Sequence, residues 1–146
     1  MPSTRHEAEI ETPPEAVMAV ILDFNSYPRF LPEIEQCEVV RSGEDEWDVK
    51  FTVKVVKRLR YTLRLQRKSP TQLRWHMLEG VFKSNDGGWD LKELDEGKRT
   101  LAAYFIDLQV GMFVPSSIMR SLVDRSLPDT VERFKAEAEA RLAATK

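Results

Sequence analysis

Three side chains of this 146-residue chain have the types that acid–base chemistry on a carbonyl needs: His6, Arg67 and Glu79. An arginine beside a glutamate polarises a carbonyl oxygen, and the carboxylate or an imidazole then moves a proton. Tyr61 and Tyr104 have the parity of inward strand positions, and an inward hydroxyl needs a partner, so both are suited to orient a ligand oxygen. Other chemistries find little material. Cys37 is the single cysteine, which excludes an intramolecular disulfide and points to a reducing, cytoplasmic setting. Glu35 and Glu38 flank it, and acidic neighbours raise a thiol pKa, so it reads as structural. His6 and His76 are the only histidines; no metal site and no cofactor are expected, and no glycine-rich phosphate loop occurs.

Charge is segregated along the chain. Residues 1–48 carry twelve acids and three bases, residues 49–78 nine bases and no acid, and residues 79–146 twelve acids and ten bases. The net charge of −2 therefore conceals a basic block, in which Lys54, Arg58, Arg60 and Arg64 fall on the outward parity of two adjacent strands. Such a face would dock to an anionic membrane surface, a ribosome or an acidic protein partner. It lacks outward aromatics for stacking, which excludes sequence-specific nucleic-acid recognition. No apolar run approaches the roughly 18 residues of a membrane span, and the N-terminus lacks the apolar core of a signal peptide.

The elements that must position these residues follow from periodicity. Arg5–Glu11 alternates strictly and predicts a half-buried strand. Thr12-Pro13-Pro14-Glu15 predicts a helix start with Thr12 as its cap, running to about Leu22. Tyr27 to Pro32 holds two prolines and three large apolar side chains, and predicts a short turn over the core or its opening. Period-two strands follow over Glu33–Arg41, Trp47–Val56, Leu59–Gln66, Leu73–Leu78, Trp89–Leu94 and Thr100–Leu108, with turns between them. The glycines of Gly80–Trp89 suggest a sheet-bending segment. After Pro115 the period becomes helical, through Ile118, Met119, Leu122, Val123, Leu127, Val131, Phe134 and Ala138, with a kink expected near Pro128.

Two motifs carry a family resemblance. Tyr27-Pro28-Arg29-Phe30-Leu31-Pro32 is similar to the Y-P-x-F-L-P segment of START-like (SRPBCC) proteins of the polyketide cyclase/dehydrase group, near the coenzyme Q-binding and ribosome-association toxin families. Leu78 to Trp89, with Glu79-Gly80-Val81-Phe82-Lys83 and Gly88-Trp89, resembles their D-G-P-F-K…G-x-W stretch, although Val81 replaces the usual proline. The resemblance implies an α+β helix-grip fold over residues 1–146 as one domain. A curved seven-stranded antiparallel sheet would wrap a long C-terminal helix, with two short helices after the first strand.

That fold implies a cavity between the C-terminal helix and the concave sheet. The inward positions expected to line it are Phe51, Val53, Tyr61, Leu63, Trp75 and Met77 on the earlier strands, with Trp89, Tyr104 and Ile106 on the later ones. Tyr27, Phe30 and Leu31 would face Met112 and Phe113 across the mouth, and Met119, Leu122 and Val123 would contribute from the helix. The leading expectation is a carrier of a small hydrophobic ligand: a lipid, an isoprenoid or a quinone. The alternatives are an aromatase/cyclase or dehydratase, and an interaction protein docking through its basic face.

Overall fold

The computed structural model describes residues 3–55, 57–111 and 114–145, without the side chains at 3, 122 and 123. The alternation at the N-terminus becomes strand β1 (Ser3–Ile10), with Ile10 fully buried. Helix α1 (Pro14–Leu22) follows, then a 3-10 turn (Phe24–Ser26) and the single turn α2 (Tyr27–Phe30). The cap differs from expectation. Pro13 occupies the N-cap position in an extended conformation, and its carbonyl accepts hydrogen bonds from Ala16 and Val17. Proline offers no capping oxygen, and Thr12 is displaced one residue too early to reach the first turn. Thr12 instead ties the chain to the sheet: its carbonyl accepts from the Thr100 hydroxyl at 2.7 Å.

Six further strands complete one antiparallel sheet: β2 (Ile34–Gly43), β3 (Glu46–Val55), β4 (Lys57–Ser69), β5 (Gln72–Gly80), β6 (Phe82–Leu94) and β7 (Arg99–Val110). The order is β1-β7-β6-β5-β4-β3-β2, so β2 to β7 form a meander and β1 closes against β7. The segment read as a bend runs from the end of β5 into the first half of β6, with a register shift between Phe82 and Ser84. Its glycines permit close approach. A Cβ on Gly88 would lie 2.3 Å from the Leu73 carbonyl oxygen, and Gly80, at φ +149°, sits where a Cβ would meet that of Tyr61 at 2.4 Å. A side chain at Gly88 would force β6 from β5, and one at Gly80, in β5, would force β5 from β4.

The chain ends in one unbroken helical run: α3 (Ser116–Ser121), a π turn (Leu122–Ser126) and α4 (Leu127–Ala144). The π turn lies directly before Pro128. A proline has no N–H for the carbonyl four residues back and clashes with it, and a widened turn relieves both problems. The expected kink is therefore a local change of helix type. Helix α4 turns Leu127, Val131, Phe134 and Ala138 into the core, against the inward faces of the strands.

Outward positions carry the charge, and four arginines of the basic block pair with acids brought beside them by the fold. Asp48, only 7% exposed, accepts from Arg64 Nε at 2.8 Å and from Arg41 Nε at 3.0 Å. Arg58 pairs with Glu35 and Arg67 with Asp45. The acids come from the negative N-terminal third, which the meander folds beside β4. The Arg64 and Arg41 guanidiniums hold the Asp48 carboxyl well below the usual carboxylate range. A depressed carboxylate stabilises the fold above its unfolded pKa of about 3.9 and loses that contribution as pH falls through its folded value. Asp48→Asn should therefore cost about 1–2 kcal/mol at pH 7, the arginines being partly solvated. Urea melts against pH should show this difference shrinking steadily below about pH 4.

Candidate functional site

A cavity of about 130 Å³ lies between α4 and the concave sheet. Strand alternation positions its walls. Phe51 and Val53 come from β3, Tyr61 and Leu63 from β4, Trp75 from β5, Trp89 from β6, and Tyr104 and Ile106 from β7. Tyr27 and Leu31 close it beneath the α2 segment, and Leu127 and Phe134 face it from α4. These were the expected wall residues, apart from the two on α4. Phe30, Met77 and Met119 lie in or against the core without lining the space. Met112 and Phe113 lie outside the described residues, as do the side chains of Leu122 and Val123.

The aromatic rings form a continuous chain around the space. Phe51 stacks on Tyr61 at 5.3 Å, Trp75 and Trp89 flank Tyr104 at 5.5 and 4.9 Å, and Trp89 meets Phe134 edge-on at 5.1 Å. Phe134 also makes edge contacts with Tyr27 at 5.3 Å and Phe30 at 5.2 Å. One helix residue thus joins the sheet to the α2 segment. A salt-bridge strap reinforces this junction: Arg29 pairs with Glu137, Glu137 with Arg141 at 2.7 Å, and Arg141 with Asp23 at 3.0 Å.

The tyrosines divide by their hydrogen bonds. Tyr27 donates to the Ile21 carbonyl, so it is an elbow pinned to the end of α1. The Tyr61 and Tyr104 hydroxyls have no partner among the described residues. Burial raises the pKa of both phenols, and each stays neutral. The Trp75 indole N–H donates to Asn85 Oδ1 at 3.1 Å, and Asn85 is itself a wall residue. Sequence reasoning missed Asn85 because it lay in the glycine-rich segment. Counting alternate positions back from Trp89 would have placed it inward.

Toward solvent the rim is polar. Ser126, in the π turn, donates to Glu33 Oε2 at 2.8 Å, and Arg133 pairs with Asp129 at 2.6 Å. None of these four was anticipated, because each is polar and falls outside the apolar pattern that marks the wall. Cys37 lies opposite Phe51 in the β2–β3 register, and burial pushes its thiol up to about 12. Burial is the cause, rather than the acidic neighbours: Glu38, next in the strand, points to the other face.

The acid–base candidates are not brought together. His6 lies opposite Tyr104 on β1, with Nε2 3.2 Å from Thr4 Oγ1, and does not line the cavity. Arg67 is exposed near the end of β4 on Asp45, and Glu79 is exposed opposite Thr62. Of the expected docking patch, Arg58 and Arg64 are ion-paired, while Lys54 and Arg60 are exposed.

This architecture, a seven-stranded antiparallel sheet gripping a long C-terminal helix with short helices after the first strand, is the START-like helix-grip fold. Residues 10–135 match the family described as polyketide cyclase/dehydrase and lipid transport, and the chain belongs to that family. Solved structures agree on the fold. The Zhui aromatase/cyclase from Streptomyces sp. R1128 superposes with a TM-score of 0.86 at 19% identity, covering 97% of this chain and 95% of that one. A START superfamily protein from Mycobacterium smegmatis gives 0.77 at 19% identity, covering 99% of each chain. A STAR-related lipid transfer protein from Xanthomonas axonopodis gives 0.77 at 14% identity, covering 93% of this chain and 85% of that one. A comparison with curated proteins finds no match. Among the described residues, no helix is long and apolar enough to cross a membrane.

Phe134 should be the most sensitive wall position. Phe134→Ala removes three edge contacts and widens the cavity, and should destabilise the protein by about 3–5 kcal/mol, measured by urea denaturation.

Proposed function

We propose that the protein binds and carries a small apolar molecule in the cavity between α4 and the sheet. The observation that carries this reading is the wall itself: a ring of aromatic and aliphatic side chains around a space their packing leaves open. Transferring apolar ligand surface from water to such a wall gains about 25 cal/mol per Å². Burying about 150 Å² would then contribute about 4 kcal/mol before ordering costs. The rim at Glu33, Ser126, Asp129 and Arg133 is the entrance, and the Arg29–Glu137–Arg141 strap holds the α2 segment that borders it.

A second reading, cyclase or dehydratase chemistry on a polyketide-like substrate, is favoured by one observation. The free Tyr61 and Tyr104 hydroxyls could polarise a substrate carbonyl. The family description covers both readings, and the separation of His6, Arg67 and Glu79 favours the carrier.

The carrier reading is checked by exposing the protein to an extract of lipids and quinones and recording native mass spectra. One apolar molecule should be retained per chain, and titration with it should change Trp75 and Trp89 fluorescence. Spectra with no retained species, together with a flat titration, would reject the reading.

A further inference from the structure

We propose that the cavity selects a single-ring ligand bearing an oxygen acceptor, such as a phenol or aryl ketone, over an acyl or polyprenyl lipid. This rests on the cavity being an apolar binding site and adds what that site prefers. Size is the first argument. At about 130 Å³ the space approaches the roughly 150 Å³ of an apolar cavity known to admit one benzene molecule. A long acyl or polyprenyl chain has several times the heavy atoms of that ring, and only its end would enter.

Polarity is the second. Asn85 is 4% exposed, and its orientation is set by chemistry, because an indole N–H can only donate. The atom facing Trp75 Nε1 is therefore the amide oxygen, and the amide N–H₂ is the end left for a ligand. Tyr104, 9% exposed, and Tyr61 add two hydroxyls without protein partners among the described residues. Burial keeps both phenols protonated. A neutral phenol donates as well as accepts, whereas an amide N–H₂ only donates. The wall thus presents three donors, and a ligand satisfies them by bringing acceptor oxygens.

Charge at the entrance is the third. Glu33 and Asp129 place carboxylates there, and the Arg133 guanidinium is already engaged by Asp129. A fatty-acid carboxylate would meet like charge, while a neutral phenol or ketone would not.

Three probes separate these arguments: acetophenone, its oxygen-free analogue ethylbenzene, and palmitate, each titrated against intact protein by calorimetry and tryptophan fluorescence. Acetophenone should bind at least about tenfold more tightly than ethylbenzene, the factor corresponding to one net hydrogen bond. The double variant Tyr61→Phe/Tyr104→Phe, checked for folding by circular dichroism, should lose most of that preference while still binding ethylbenzene. Palmitate should fail to displace acetophenone. Equal affinities for the two ring compounds would overturn the acceptor argument and leave the apolar site standing. Palmitate binding more tightly than acetophenone would overturn the size argument, again with a carrier remaining. Absence of binding by all three would overturn the proposal and the reading beneath it together. Should the double variant unfold, the wild-type preference alone decides.

Discussion

A single helix cannot cover the inner face of seven strands. Helix α4 turns four residues inward, Leu127, Val131, Phe134 and Ala138, whereas each of the central strands sends several large side chains to the same side. Where the sheet curves most closely around the helix the two faces interlock, as Trp89 and Phe134 do at 5.1 Å. Elsewhere the gap exceeds what the side chains fill. What the side chains leave unfilled there is the cavity. An unfilled space of about 130 Å³ costs about 3 kcal/mol at roughly 24 cal/mol per Å³. A larger residue at Val53 or Leu63 would reduce that cost, and the protein's retention of the space is coherent with its being occupied.

The polar groups of the interior follow the same logic. Tyr27 and Trp75 each place their single strong donor on a protein oxygen, one on the Ile21 carbonyl and one on Asn85. Those bonds fix the elbow and the wall. Tyr61 and Tyr104, at the centre of the aromatic ring, have no such bond among the described residues. The polar groups that fix the elbow and the wall are thus bonded within the protein, whereas the Tyr61 and Tyr104 hydroxyls border the space.

Sequence periodicity makes the wall legible and the rim illegible. Period-two alternation fixes Phe51, Val53, Tyr61, Leu63, Trp75 and Tyr104 on one face whatever the exact strand ends, because parity survives boundary errors. The family motifs then supply the grip of sheet on helix. Asn85 was hidden because three glycines in ten residues suggested a bend, whereas they serve a strand packed closely against its neighbours. Ser126 was hidden because the π turn shifts the helical phase just before Pro128. The pairing within the basic block was also illegible. Linear charge counts ignore that a meander sets residues 35–48 beside residues 58–67, so Glu35, Asp45 and Asp48 neutralise arginines more than a dozen residues away in sequence.

Those outer ion pairs and the inner cavity are linked by the pleat. Asp48 and Val49 are neighbours in β3, and Arg64 lies between Leu63 and Leu65 in β4. The bidentate grip of Arg64 on Asp48, at 2.8 and 3.0 Å, therefore fixes the same two strands whose inward residues include Phe51 and Tyr61. A guanidinium fork holds direction as well as distance. Register across β3 and β4 is held from the convex side, where water tolerates charge. Among the described residues, the strand side chains that line the concave side make no salt bridge, and that face is apolar apart from Tyr61, Asn85 and Tyr104. Alternation along each strand thus divides the labour: charges on one face set the geometry, and the opposite face, relieved of that task, holds the open space.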